Sequence, residues 1–99
     1  MERAVWTLRA ERDLEEIVLY IAESDYRPHV AHQIAREIRD RCDFYATQPN
    51  LGESRPDLGE RLHIFRYKRW AIIYRVESEE ITVVRVVDGS RDYPKLFDE

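Results

Sequence analysis

The apolar spacing of this 99-residue chain changes period part-way along, and that change restricts the folds open to it. Leu14, Ile17, Val18 and Ile21 fall at i, i+3, i+4 and i+7, and Ala31, Ile34, Ala35, Ile38, Cys42 and Tyr45 keep the same helical spacing for about four turns. From Arg61 onward the period is two, over Leu62–Tyr67, Trp70–Val76 and Ile81–Val87, all rich in β-branched and aromatic residues. Helices that come first and strands that come together later do not make alternating β-α-β units. They make an α+β domain in which a helical layer covers one face of an antiparallel sheet.

The boundaries follow from local chemistry. Ala4–Leu8 reads as a first short strand, and the first helix ends near Glu23. Glu11, Asp13, Glu15 and Glu16 lie on its first turns, where a helix dipole favours anions. Ser24–Arg27 breaks the pattern, and Pro28 suits the first position of a second helix because its missing N–H is not needed there. Residues Gln48 to Gly59 hold two of the four prolines and two of the three glycines, so they form a loop, which Leu51 and Leu58 are suited to anchor. The short connections at Lys68-Arg69 and Ser78-Glu79-Glu80 make the last three strands an antiparallel meander. The expected order is βααβββ with a tail from Gly89, all in one domain spanning 1–99.

Alternation places Trp70, Ile72, Tyr74 and Val76 on one face of the sheet and Ala71, Ile73 and Arg75 on the other. A similar split separates Ile81, Val83, Arg85 and Val87 from Thr82, Val84 and Val86. Both faces are therefore apolar. Two helices cover one of them, so the expectation is that the second stays open to a partner.

Charge and composition exclude several classes. The 43% hydrophobic and 36% charged content fits a globular chain with ions of both signs on its surface. The apolar runs are far shorter than the ~20 residues of a membrane span, and Met1-Glu2-Arg3 opens no signal peptide, so the expected location is the cytoplasm. Cys42 stands alone and builds neither a disulfide nor a cysteine zinc site. A net charge of -4 argues against non-specific attraction to nucleic acid. Yet Arg61, Arg66, Lys68, Arg69 and Arg75 occur with no acid among them, which leaves local recognition of an acidic partner open.

Few residues carry a catalytic signal. No phosphate-cradling glycine loop and no nucleophile elbow is present. His29 and His32 are spaced to reach one metal ion but lack a third ligand at fixed spacing. His63 reads as a polar strand residue, and Cys42 as a small buried hydrophobe. Arg61, Arg66, Lys68, Arg69, Arg75, Arg85, Arg91 and Tyr93 loosely fit metal-free RNA cleavage, in which cations stabilise a phosphorane-like charge and a polar side chain moves protons. Strand arginines are common, however, and a phenol needs a large pKa shift to act as a base. An interaction surface is the better reading.

Several blocks taken together resemble the ParE-type toxins of the ParE/RelE superfamily. They are Glu11 to Ala22, Gln48-Pro49-Asn50-Leu51-Gly52, Arg55-Pro56-Asp57-Leu58, Tyr74-Arg75 and Gly89-Ser90-Arg91-Asp92, and they run over nearly the whole chain. The resemblance implies a helical hairpin on an antiparallel sheet, no cofactor and no metal. It also implies a ParD-like or other antitoxin, which lays an extended and helical segment over the toxin, and inhibition of DNA gyrase by the freed toxin. RelE-type relatives cut messenger RNA in the ribosomal A site and tend to be strongly basic, which this chain is not. The expected function is therefore that of a toxin acting by binding, with no catalytic residues, no direct nucleic-acid contact and no membrane. A RelE-type endoribonuclease and a non-toxic binding module are the alternatives. The expected contacts are Arg66, Trp70, Tyr74, Arg75, Arg85, Arg91 and Tyr93, which offer rigid aromatic anchors and charge-assisted bonds to an antitoxin that docks across the open sheet face and along the helical hairpin.

Overall fold

The computed structural model describes residues 3–25, 27–78, 80–90 and 93–97. Its elements run β1 (Val5–Trp6), α1 (Leu8–Asp25), α2 (Pro28–Thr47), β2 (Glu53–Ser54), β3 (Leu62–Tyr67), β4 (Trp70–Val76), β5 (Ile81–Asp88) and a 3-10 helix (Tyr93–Phe97). The five strands form one sheet in the order β1-β5-β4-β3-β2, with β1 parallel to β5 and every other pair antiparallel. The α+β class and the hairpin-on-sheet layout stand as read from the sequence.

Thr7 explains why the first strand stops at Trp6 rather than Leu8. Its backbone N–H still donates to Val83 O on β5, while its hydroxyl accepts from Ala10 N–H at 3.0 Å and caps α1. One residue closes the strand and opens the helix, so Leu8 becomes helical. Pro28 occupies the start of α2 as expected. In the loop after α2, Glu53 and Ser54 pair with Ile64 and His63, adding a two-residue strand that its prolines and glycines had hidden.

The helical layer and β4 and β5 enclose the main core, which includes Leu14, Ile21, Ile38, Cys42, Phe65, Ile72, Tyr74, Val83 and Val86. Val86 belongs to this face, against the simple alternation. A β-bulge is the reason: Ile73 pairs with Arg85 while Tyr74 pairs with Val83, so Val84 is an extra residue and the pattern beyond it inverts.

The opposite face is not open. Leu62, Ile64, Ala71, Ile73, Val84 and Val87 are buried there with Leu58 from the loop and Tyr93 from the 3-10 helix, and Leu96 packs on them. The expectation of an apolar face free for a partner is thus corrected: a loop and a tail without regular periodicity supply the second cover. Leu58 anchors as expected, whereas Leu51 is exposed.

Candidate functional site

A groove of about 710 Å³ opens on the helical side of the molecule, between the hairpin and the end of β5. Its apolar lining comes from Ile17, Tyr20 and Ile21 on α1, Val30 and Ile34 on α2, and Trp70 and Val86 on the sheet. Tyr20 is 62% exposed, so its ring stands ready as an amphipathic contact. The groove exists because β1 is short. It pairs with β5 only at Thr82 and Val83, and the rest of that edge is bordered by α1.

Ion pairs organise the groove, the shortest being Asp13–Arg85 and Arg69–Asp88, with Arg9 a further 3.6 Å neighbour of Asp13. Asp13, 5% exposed and the one buried charged residue among those described, accepts from Arg85 Nε at 2.8 Å and from Val86 N–H at 2.9 Å. It thereby satisfies an edge amide of β5 that no strand reaches, and ties α1 to the sheet. At the far end Arg69 donates to Asp88 at 2.8 Å. That bond, reinforced by the Ser90 N–H and hydroxyl on the same carboxylate, holds Asp88 well below the usual carboxylate range.

The sequence-derived contact residues divide among three places. Trp70 and Arg85 line the groove; Trp70 is mostly buried, and Arg85 is engaged with Asp13. Tyr74 lies wholly inside the core, where it accepts from Gly52 N–H at 3.1 Å and donates to Pro49 O at 2.7 Å. It fastens the loop and is not a surface anchor, and burial pushes its hydroxyl up to about 12. Arg66, Arg75 and Tyr93 belong to the other side. Tyr93 is packed on the second core, its hydroxyl donates to Gly89 O, and the guanidiniums of Arg55 and Arg66 each lie 5.8 Å from its ring. Arg75 pairs with Glu77 at 3.7 Å. Arg91 lies outside the described residues.

Cys42 is fully buried, and desolvation pushes its thiol up, away from the reactive thiolate. Among the described residues no group of three metal-ligating side chains converges, and no helix is long and apolar enough to cross a membrane. Sequence reasoning had placed Ile17, Ile21 and Ile34 on the core stripe, which they share with the groove, and it passed over Tyr20. The usable signal was an aromatic residue beside Leu19 on the solvent side of an amphipathic helix.

Comparison with known proteins gives this geometry a family. A model described as the ParE toxin of type II toxin-antitoxin system, parDE, matches residues 4–93. The chain belongs to the ParE toxin family. It is 28% identical over 89 residues to Toxin ParE3 of Caulobacter vibrioides, covering 90% of this chain and 88% of that one. It is likewise 28% identical over 96 residues to putative toxin Y4kP of Sinorhizobium fredii, covering 97% of each chain. A solved structure described as a chromosomal ParDE TA system from P. aeruginosa superposes with a TM-score of 0.74 at 21% identity, covering 89% of this chain and 96% of that one, and supports the fold. This ParE-family chain is thus a toxin of the type II toxin-antitoxin class, and the two motif blocks holding Gly52 and Tyr74 are joined by one loop clamp.

Proposed function

We propose that this toxin acts by binding a protein target, DNA gyrase, and that a ParD-like antitoxin silences it by seating an amphipathic segment in the groove between α1, α2 and β5. The observation that carries the reading is the groove itself: an apolar floor bounded by the Asp13–Arg85 and Arg69–Asp88 pairs, with an exposed Tyr20 at its side. Apolar anchors within a charged border are what an amphipathic helix or strand requires of a receptor. A binding mode is favoured over RNA cleavage because several of the polar groups that cleavage would recruit are engaged within the fold: Arg85 with Asp13, Arg75 with Glu77 and the Tyr93 hydroxyl with Gly89 O.

The test begins with induction of the chain alone in a bacterial host. Double-strand breaks with SOS induction, and intact messenger RNA, are the expected outcome. Codon-specific RNA cleavage without breaks would transfer the chain to the ribosomal nucleases, and normal growth would make it a non-toxic binding module. In the same host, Tyr20→Glu is expected to remain folded but to escape its antitoxin, with affinity lowered by about 2 kcal/mol, a value typical of a buried aromatic anchor. Isothermal titration with the partner encoded beside it measures this directly.

A further inference from the structure

We infer that, with the groove as the antitoxin's seat, Arg9 and Glu16 determine which antitoxin it accepts, by requiring an acid and a base two turns apart on a helical segment. The charged groups that line the groove are Arg9, Asp13, Glu16, Arg69, Arg85 and Asp88. Cations and anions are equal in number, so overall charge attracts neither an acidic nor a basic partner. The order of the charges is what discriminates.

At the hairpin end Arg69 and Asp88 neutralise each other at 2.8 Å. At the β1 end two guanidiniums share one carboxylate. Asp13 holds Arg85 at 2.8 Å and the Val86 N–H at 2.9 Å, whereas Arg9 approaches it only to 3.6 Å. One cation is in excess there, and it is Arg9, whose side chain is 56% exposed while that of Arg85 is mostly covered. Glu16 is exposed on the next turn of α1, and among the described residues no side chain forms an ion pair or hydrogen bond with it. Arg12, one turn before it, does not line the groove.

Arg9 and Glu16 stand seven positions apart on α1, so they share one stripe and lie about 10 Å apart along the helix axis. Ile17, Tyr20 and Ile21 follow at once as the apolar seat. A partner helix matches this sequence of charges with an acid and a base seven residues apart on the face that carries its apolar anchors. An extended segment repeats its facing side chains every ~6.6 Å and falls out of step with it.

Calorimetric titration with the antitoxin encoded beside the toxin reads the effect. Glu16→Gln and Arg9→Gln each weaken binding about threefold, the size of one exposed charge pair, and leave the melting temperature of the free toxin unchanged. Glu16→Arg weakens binding about tenfold or more, because a like charge then faces the partner's base. These differences shrink in about 0.5 M NaCl, where exposed pairs are screened. Antitoxin segments selected by display for tight binding to Glu16→Arg carry a base changed to an acid. Double-mutant cycles between Arg9→Gln and each acid of the antitoxin then place the second contact seven residues from that position. Glu16→Arg binding as tightly as the parent while Tyr20→Glu binds weakly overturns the charge requirement and leaves the groove in place. If both bind as tightly as the parent, the groove reading fails and the charge requirement fails with it. Rescue of Glu16→Arg by an apolar change, or a spacing other than seven, also overturns the proposal.

Discussion

Tyr74 and Gly52 lie 22 positions apart in sequence and act as one fastening. Both were visible as members of recurring blocks, but nothing in their spacing revealed that the phenol would be buried and spent on the loop. A β-carbon at position 52 would collide with the Tyr74 hydroxyl and approach Ile64 O at 3.1 Å, which is why glycine stands there. Tyr74→Phe removes two hydrogen bonds and is expected to cost about 1–2 kcal/mol, read from the urea midpoint. Gly52→Ala is expected to cost more, because the methyl group must displace the phenol. Asp88 gives a pH test. Its folded pKa lies below its unfolded value, so its contribution is complete above the unfolded pKa of about 4 and disappears as pH falls through the folded one. Melting temperatures measured from pH 6 downward should therefore fall less steeply for Asp88→Asn than for the parent.

At the level of elements, α1 was legible from its apolar stripe, and its acidic first turns looked like ordinary dipole chemistry. Asp13 does something that periodicity cannot express: it crosses to β5 and takes both Arg85 and the Val86 amide. The β-bulge beside it was equally hidden, because one inserted residue shifts the alternation without leaving a compositional mark. Arg85→Met leaves a buried carboxylate without its main counter-charge and is expected to destabilise the fold by about 3–5 kcal/mol. Adding Asp13→Asn to that variant should recover part of the loss, since an amide is cheaper to bury than an unpaired charge. Denaturant titration of the parent, Arg85→Met, Asp13→Asn and the double variant measures the coupling.

Across the whole molecule, the helical layer and the antiparallel strands were readable from period alone, while the second cover of the sheet was not. Tyr93 and Leu96 sit in a tail whose Pro94 and charged neighbours suggest nothing apolar, and only the chain's path brings them over Ile64 and Ile73. Leu96→Asp is expected to uncover that face, raising binding of an apolar dye and lowering the melting temperature with the helical side intact. The two sheet edges also differ in kind. On the β5 side, Trp6 pairs with Val83, the Thr7 hydroxyl donates to Val84 O, and Asp13 holds Val86 N–H. In the language of polymer chemistry, the Asp13 carboxylate works as an end-group. A ribbon of sheets grows only from reactive groups, and at Val86 the amide that a further strand would need is already quenched by that carboxylate.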